Sequence, residues 1–200
     1  MLILCSNGLS SSALKSSLSS TIKSGKSALV VTADNEYKEN NYHVARCISE
    51  LNSLHLDVDI IDIDKQPIQD LLIYDVVEFI GGNPYYLLNS LKKQNAKKVL
   101  QKIASEKVLI GWSAGALVMT PTIGIINVFS PEMNQWGITD FSAMNLTDIE
   151  VKPHYNKFLK RYDCFEERCQ KYEKDKGIRL IQLNDGEGIS ITQGKEILIR

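Results

Sequence analysis

The chain has 200 residues, 44% of them hydrophobic and 24% charged, with a net charge of -1. That length suits one domain over 1–200, large enough to bury a full core without disulfides. The near-neutral balance supplies no field to draw nucleic acid or an anionic membrane, so function is expected in a local site.

Cys5, Cys47, Cys164 and Cys169 form no C-x-x-C, and His43, His55 and His154 stand at no metal-ligand spacing from them. Reduced thiols are expected, with no metal and no cofactor. The apolar opening ends after five residues, too short for a signal peptide or a membrane span, which points to the cytoplasm.

Leu2-Ile3-Leu4-Cys5 predicts a first strand, closed by Ser6-Asn7-Gly8. Leu9, Ala13, Leu14, Leu18 and Ile22 recur at helical spacing, and Gly25 stops that helix. A strand over 28–32 follows, with Asp34-Asn35 placed to cap the next helix, over 42–54. Residues 56–63 alternate apolar and acidic, a strand with one exposed face. Another strand over 76–80 turns at Gly81-Gly82-Asn83-Pro84 into a helix carrying Tyr85, Leu87, Leu88 and Leu91. A lysine-rich helix over 96–105 leads to Val108-Leu109-Ile110.

This β-α alternation predicts a doubly wound α/β domain with a mostly parallel sheet, whose ligand sites lie beyond the carboxyl ends of the strands. Beyond Pro121 the pattern loosens: a strand over 123–129, loop over 130–145, a charged helix over 158–172, and strands over 178–183, 188–192 and 196–200.

The most informative string is Gly111-Trp112-Ser113-Ala114-Gly115, directly after an apolar run. G-x-S-x-G at a strand-to-helix turn is a nucleophile elbow: the serine hydroxyl is exposed on a strained turn, and the glycines remove side chains that would collide. The same string also arises by chance around capping or turn serines. It gains meaning only with a base and an oxyanion hole beside it.

A serine hydroxyl needs a base to take its proton. His43 falls within a helix and His55 at a helix-to-strand junction, positions that suit structural or surface roles. His154, in Val151-Lys152-Pro153-His154-Tyr155, leaves a strand through a proline-fixed loop and is the candidate base. For the orienting acid, Leu183-Asn184-Asp185-Gly186-Glu187-Gly188 offers Asp185 and Glu187 in a tight turn, although Asn-Asp-Gly is also ordinary hairpin chemistry. Asp140 and Asp148 sit in less defined loop. Ala114 and the Gly81-Gly82-Asn83 turn could donate the oxyanion-hole N–H groups. That turn could equally be strand-to-helix punctuation or a phosphate cradle.

Phe79-Ile80-Gly81-Gly82-Asn83, then Ile110-Gly111-Trp112-Ser113-Ala114-Gly115-Ala116, then Pro153-His154-Tyr155, in this order and over almost the whole chain, resemble peptidase E. This is the aspartyl dipeptidase family of serine peptidases, related to cyanophycinase. The resemblance implies a fold like class I glutamine amidotransferases and hydrolysis of small peptides. It implies Ser113 as nucleophile, His154 as base, and Gly82 and Ala114 as oxyanion hole. It implies a third member in an L-x-E-G turn, where Leu183-Asn184-Asp185-Gly186 has Asp185 and Glu187 is the spare. The family's alternative acid follows an asparagine after the elbow helix, and here Asn127 is followed by Val128.

The family's T-R-E-x-R string corresponds to Cys164-Phe165-Glu166-Glu167-Arg168. Phe165 replaces the arginine that pairs the substrate's aspartyl carboxylate, leaving Arg168 as the substrate-binding candidate. An apolar ring cannot pair a carboxylate, which argues against Asp-X specificity. Two other readings stay open: a serine hydrolase acting on an ester or another amide, and a non-catalytic small-molecule-binding protein on the same fold.

Overall fold

The computed structural model describes residues 1–22 and 24–200. The elements run β1 (Leu2–Cys5), α1 (Ser12–Ser19), β2 (Gly25–Val30), α2 (Val44–Asn52), β3 (Leu56–Ile61), β4 (Val76–Phe79), α3 (Pro84–Lys93), α4 (Lys97–Glu106), β5 (Val108–Trp112) and α5 (Ala114–Leu117). They continue as α6 (Gly124–Phe129), β6 (Ile149–Lys152), α7 (Tyr155–Phe158), α8 (Phe165–Lys176), β7 (Arg179–Gln182), β8 (Gly188–Thr192) and β9 (Lys195–Ile199).

Seven strands form one sheet in the order β3-β2-β4-β5-β1-β8-β9. The first five are mutually parallel, and β8 and β9 add antiparallel. The α/β class with a mostly parallel sheet is thus as the sequence predicts. Every residue of β1, β4 and β5 is buried, as strands covered on both faces require, and only Glu78 of β4 interrupts their apolar runs with a charged side chain. Each fully buried Leu, Ile or Val side chain contributes up to about 1.5–3 kcal/mol. The edge strand β3 keeps its Asp57-Val58-Asp59 alternation toward water, where charge discourages pairing with another chain.

Helix starts follow the local chemistry. Asn83 caps α3, its side chain accepting from the N–H groups of Tyr85 and Tyr86, and Pro84 opens the helix with the φ it needs. Asp34, by contrast, caps only a turn through the N–H groups of Glu36 and Tyr37, and α2 begins ten residues later at Val44.

Two predicted elements differ. Residues 124–129 form helix α6, not a strand: the Thr122 hydroxyl accepts from Gly124 N–H, and Ile125, Ile126 and Phe129 are its buried residues. The charged helix over 158–172 is two helices, α7 and α8, because Cys164 takes a left-handed backbone (φ 51°) and restarts the chain at Phe165. Strands β6 and β7 pair parallel in a separate two-stranded sheet. No helix among the described residues is long and apolar enough to cross a membrane. The four cysteines are free thiols.

Candidate active site

The tips of β1, β4, β5 and β6 and the turn between β7 and β8 supply the site, beyond the carboxyl ends of the parallel strands. At the end of β5 the backbone breaks direction within one residue: Ser113 has φ 51° and ψ -115°, and α5 starts at Ala114. This is a region that side-chain-bearing residues avoid, at a cost of about 1–3 kcal/mol. Packing imposes it. A Cβ at Gly111 would fall on the Gly115 carbonyl, and one at Gly115 on the Phe79 carbonyl. Ser113 N–H donates to Cys5 O (3.2 Å), fastening the turn to β1.

His154 follows the last residue of β6 by two and also takes a left-handed backbone (φ 57°, ψ 31°). Its Nδ1 lies 2.6 Å from Asp185 Oδ1, and Lys157 Nζ is 2.6 Å from Asp185 Oδ2. The buried Ser6 hydroxyl joins the two, accepting from His154 N–H (2.8 Å) and donating to Asp185 Oδ1 (2.8 Å). With Nδ1 donating to the carboxylate, Nε2 is the basic nitrogen. Burial lowers His154 below its ordinary value against the opposing pull of Asp185, so the imidazole is neutral at neutral pH. Burial works to raise Asp185, but hydrogen bonds from Lys157, Ser6 and His154 outweigh it and hold the carboxyl below its usual range.

Ser113 and His154 line one open cleft of about 720 Å³, together with Gly82, His43 and Arg46. No hydrogen bond joins the Ser113 hydroxyl to His154 among the described residues. Such contacts often tighten only when substrate binds. Gly82 needs its φ of +154° and the absence of a Cβ, which would strike the Ala33 carbonyl. Gly82 and Ala114 border a second, smaller pocket of about 110 Å³ that also opens onto Ser113 and His154. Both candidate oxyanion donors thus share a pocket with Ser113.

The remaining candidates are placed elsewhere. Glu187 turns away, its carboxylate accepting from Asn184 N–H (2.9 Å) and lying 3.6 Å from Arg200. Arg168 is not on the cleft: its guanidinium donates to Val128 O and covers the Phe129 ring at 4.5 Å. The predicted substrate contact is therefore a brace between α8 and α6. Asp140 pairs with Lys92 and Asp148 is exposed. His55 is exposed in the turn before β3, whereas His43 lines the cleft edge-on to the Trp112 ring, 5.2 Å between centroids.

Sequence reasoning missed Ser6, although its place at the carboxyl end of a parallel strand was the available signal. It also missed Lys152, the last residue of β6, which is 1% exposed and whose Nζ sits 3.5 Å from the Phe158 ring centroid. Burial pulls this amine down to about 7. Under the cleft, Glu78 of β4 is fully buried with neither carboxyl oxygen hydrogen-bonded among the described residues. Burial, and then the neighbouring Glu50, push it up to about 8. Glu50 itself is paired with Arg46.

A strained serine between strand and helix, beside a histidine–carboxylate pair at the carboxyl end of a parallel sheet, defines an α/β enzyme of the hydrolase class. The profile of peptidase family S51 matches residues 2–199, and the chain belongs to that family of peptidases. An uncharacterized peptidase of Listeria monocytogenes is 29% identical over 183 residues, covering 88% of this chain and 86% of its own. A peptidase E of Shewanella oneidensis is 29% identical over 117 residues, 58% of this chain and 48% of its own. Among solved structures, a candidate peptidase E protein from Listeria monocytogenes superposes with a TM-score of 0.80 at 29% identity. That match covers 100% of this chain and 97% of the other. A peptidase from an acI-B1 actinobacterium shares the fold, with a TM-score of 0.70 at 20% identity over 94% of this chain and 81% of its own.

Proposed function

We propose that this peptidase hydrolyses small peptides by a serine mechanism. Ser113 attacks the scissile carbonyl, His154 Nε2 takes its proton and returns it to the leaving amine, and Asp185 holds the imidazole through Nδ1. The N–H groups of Gly82 and Ala114 receive the oxyanion. The observation that carries this reading is the Ser113 backbone itself, held at φ 51° and ψ -115° within a cleft it shares with His154.

A fluorophosphonate probe tests it directly. Labelling is expected at Ser113, with loss in Ser113→Ala and strong slowing in His154→Ala. Dipeptide turnover in Ser113→Ala should fall by roughly four to six orders of magnitude. Retained turnover in Ser113→Ala, or labelling indifferent to His154, sinks the reading. Running dipeptides beside short acyl esters separates a peptidase from a hydrolase of other bonds.

A further inference from the structure

The pocket of about 110 Å³ beside Ser113 has an unusual floor. Its walls are apolar, including Leu117, Ile126, Phe129 and Phe158, yet Lys152 lines it too. The Lys152 ammonium lies against three rings, 3.5 Å from the centroid of Phe158, 5.4 Å from Phe129 and 5.6 Å from Phe165. Among the described residues Nζ has no hydrogen bond and no ion pair. A buried cation without a partner anion is costly in a folded protein, and one that faces a cleft marks a candidate ligand site. Ring faces stabilise the cation without neutralising it, so it remains available to an incoming anion.

We propose that Lys152 is the specificity-determining residue of this cleft. While protonated it receives a short anionic group on the acyl part of the substrate, and when deprotonated it leaves a pocket for an uncharged one. The inference rests on Ser113 being the nucleophile. Phe165 of α8 forms one wall of the cage. The cation comes from β6 and, unlike a guanidinium, can lose its charge near neutral pH.

The surrounding groups leave Lys152 unpaired. On α8, Cys169 is the one titratable group that works to hold the proton on, and Arg168 is turned to Val128 O. On its own segment, Glu150 is bound by the Tyr172 hydroxyl and His154 by Asp185. Lys157 of α7 pairs with Asp185, Tyr155 with Glu166, and Arg179 of β7 with Glu196. Burial therefore dominates and lowers the amine toward neutrality.

The test compares Asp-Leu with Asn-Leu, two dipeptides of nearly equal shape, at about pH 6 and about pH 8.5, on either side of the lowered amine value. The ratio of their kcat/KM values cancels the titration of His154, and each rate is corrected for the separately titrated α-amine of its own dipeptide. It should favour Asp-Leu by on the order of tenfold or more at the lower pH and fall toward unity at the higher. In Lys152→Met the ratio should be low and independent of pH, and in Lys152→Arg any preference should persist at the higher pH. A ratio near unity at both pH values, or a Lys152→Met protein with an unchanged pH-dependent ratio, overturns the proposal. Calorimetric binding of the same dipeptides to Ser113→Ala reads the pocket without chemistry. Failure of Ser113 labelling thus counts against the nucleophile, and absent charge discrimination in binding counts against Lys152.

Discussion

Replacing Ser6 by alanine deletes one hydroxyl that serves two members of the site. The donor to Asp185 Oδ1 is a bond to a charged acceptor, worth about 1.5–3 kcal/mol, and the acceptor for His154 N–H is worth about 1 kcal/mol. Water recovers part of the first, because the Asp185 side chain keeps 17% of its exposure. A net loss of about 1–3 kcal/mol follows, and at about 2–4 °C per kcal/mol for a domain of this size Tm should drop by several degrees. Activity should suffer beyond stability. His154 holds a left-handed backbone that the Ser6 contact helps to fix, and a misplacement of about 1 Å can cost about a hundredfold. Urea unfolding and kcat/KM on one dipeptide measure both effects at a temperature where the variant is fully folded. The expected order is Ser6→Ala slower than the unmodified protein by about ten- to a hundredfold, with Asp185→Asn slower still. A Ser6→Ala protein with unaltered Tm and unaltered rate would refute this account of the bridge.

Asp185→Asn should reduce kcat by on the order of ten-thousandfold while leaving the fold intact. Because the base must be neutral and Asp185 works to raise the His154 value, the acid limb of the pH–rate profile, already below the ordinary histidine range, should move further toward acid in this variant. Glu78→Gln tests the buried carboxyl. Glu78 titrates at about 8 when folded against 4.5 when unfolded, so the native state holds the extra proton between these values. Stability is then greatest below the unfolded value and declines as pH rises toward the folded one, by up to a few kcal/mol. Unfolding in urea across that range should show the decline flattened in Glu78→Gln, and an equal slope in both proteins would contradict it.

The parts legible in the sequence are those whose chemistry is local. The elbow, the Asn83-Pro84 helix start and the Pro153-His154 exit each depend on neighbours within a few residues, and all three stand where predicted. Residues set by distant contacts were hidden. Ser6 reads as an ordinary loop serine until β8 brings Asp185 beside it. Arg168 reads as a free cation until the Val128 carbonyl and the Phe129 ring hold it. The strand predicted over 123–129 had suitable β-branched composition, but the bond from Gly124 N–H to the Thr122 hydroxyl and the burial of Ile125, Ile126 and Phe129 go with a helix over Gly124–Phe129. Lys152 was hidden for a different reason: a lysine inside a short strand suggests a solvent-facing position, and only the aromatic residues of α6, α7 and α8 show otherwise.

The Ser6 bridge also sets the order in which the enzyme can come into being. Its two bonds span 148 and 179 residues of chain, and β1 takes β8 as its neighbour on one side. Closing such long loops adds only a slowly growing entropic cost, but it cannot occur before residues near 185 have been synthesised. A nascent chain that has already made Ser113 and His154 therefore lacks both the acid and the strand that steadies β1. On the proposed triad, a chain interrupted before Asp185 would lack both the carboxylate partner of His154 and the Ser6 bridge.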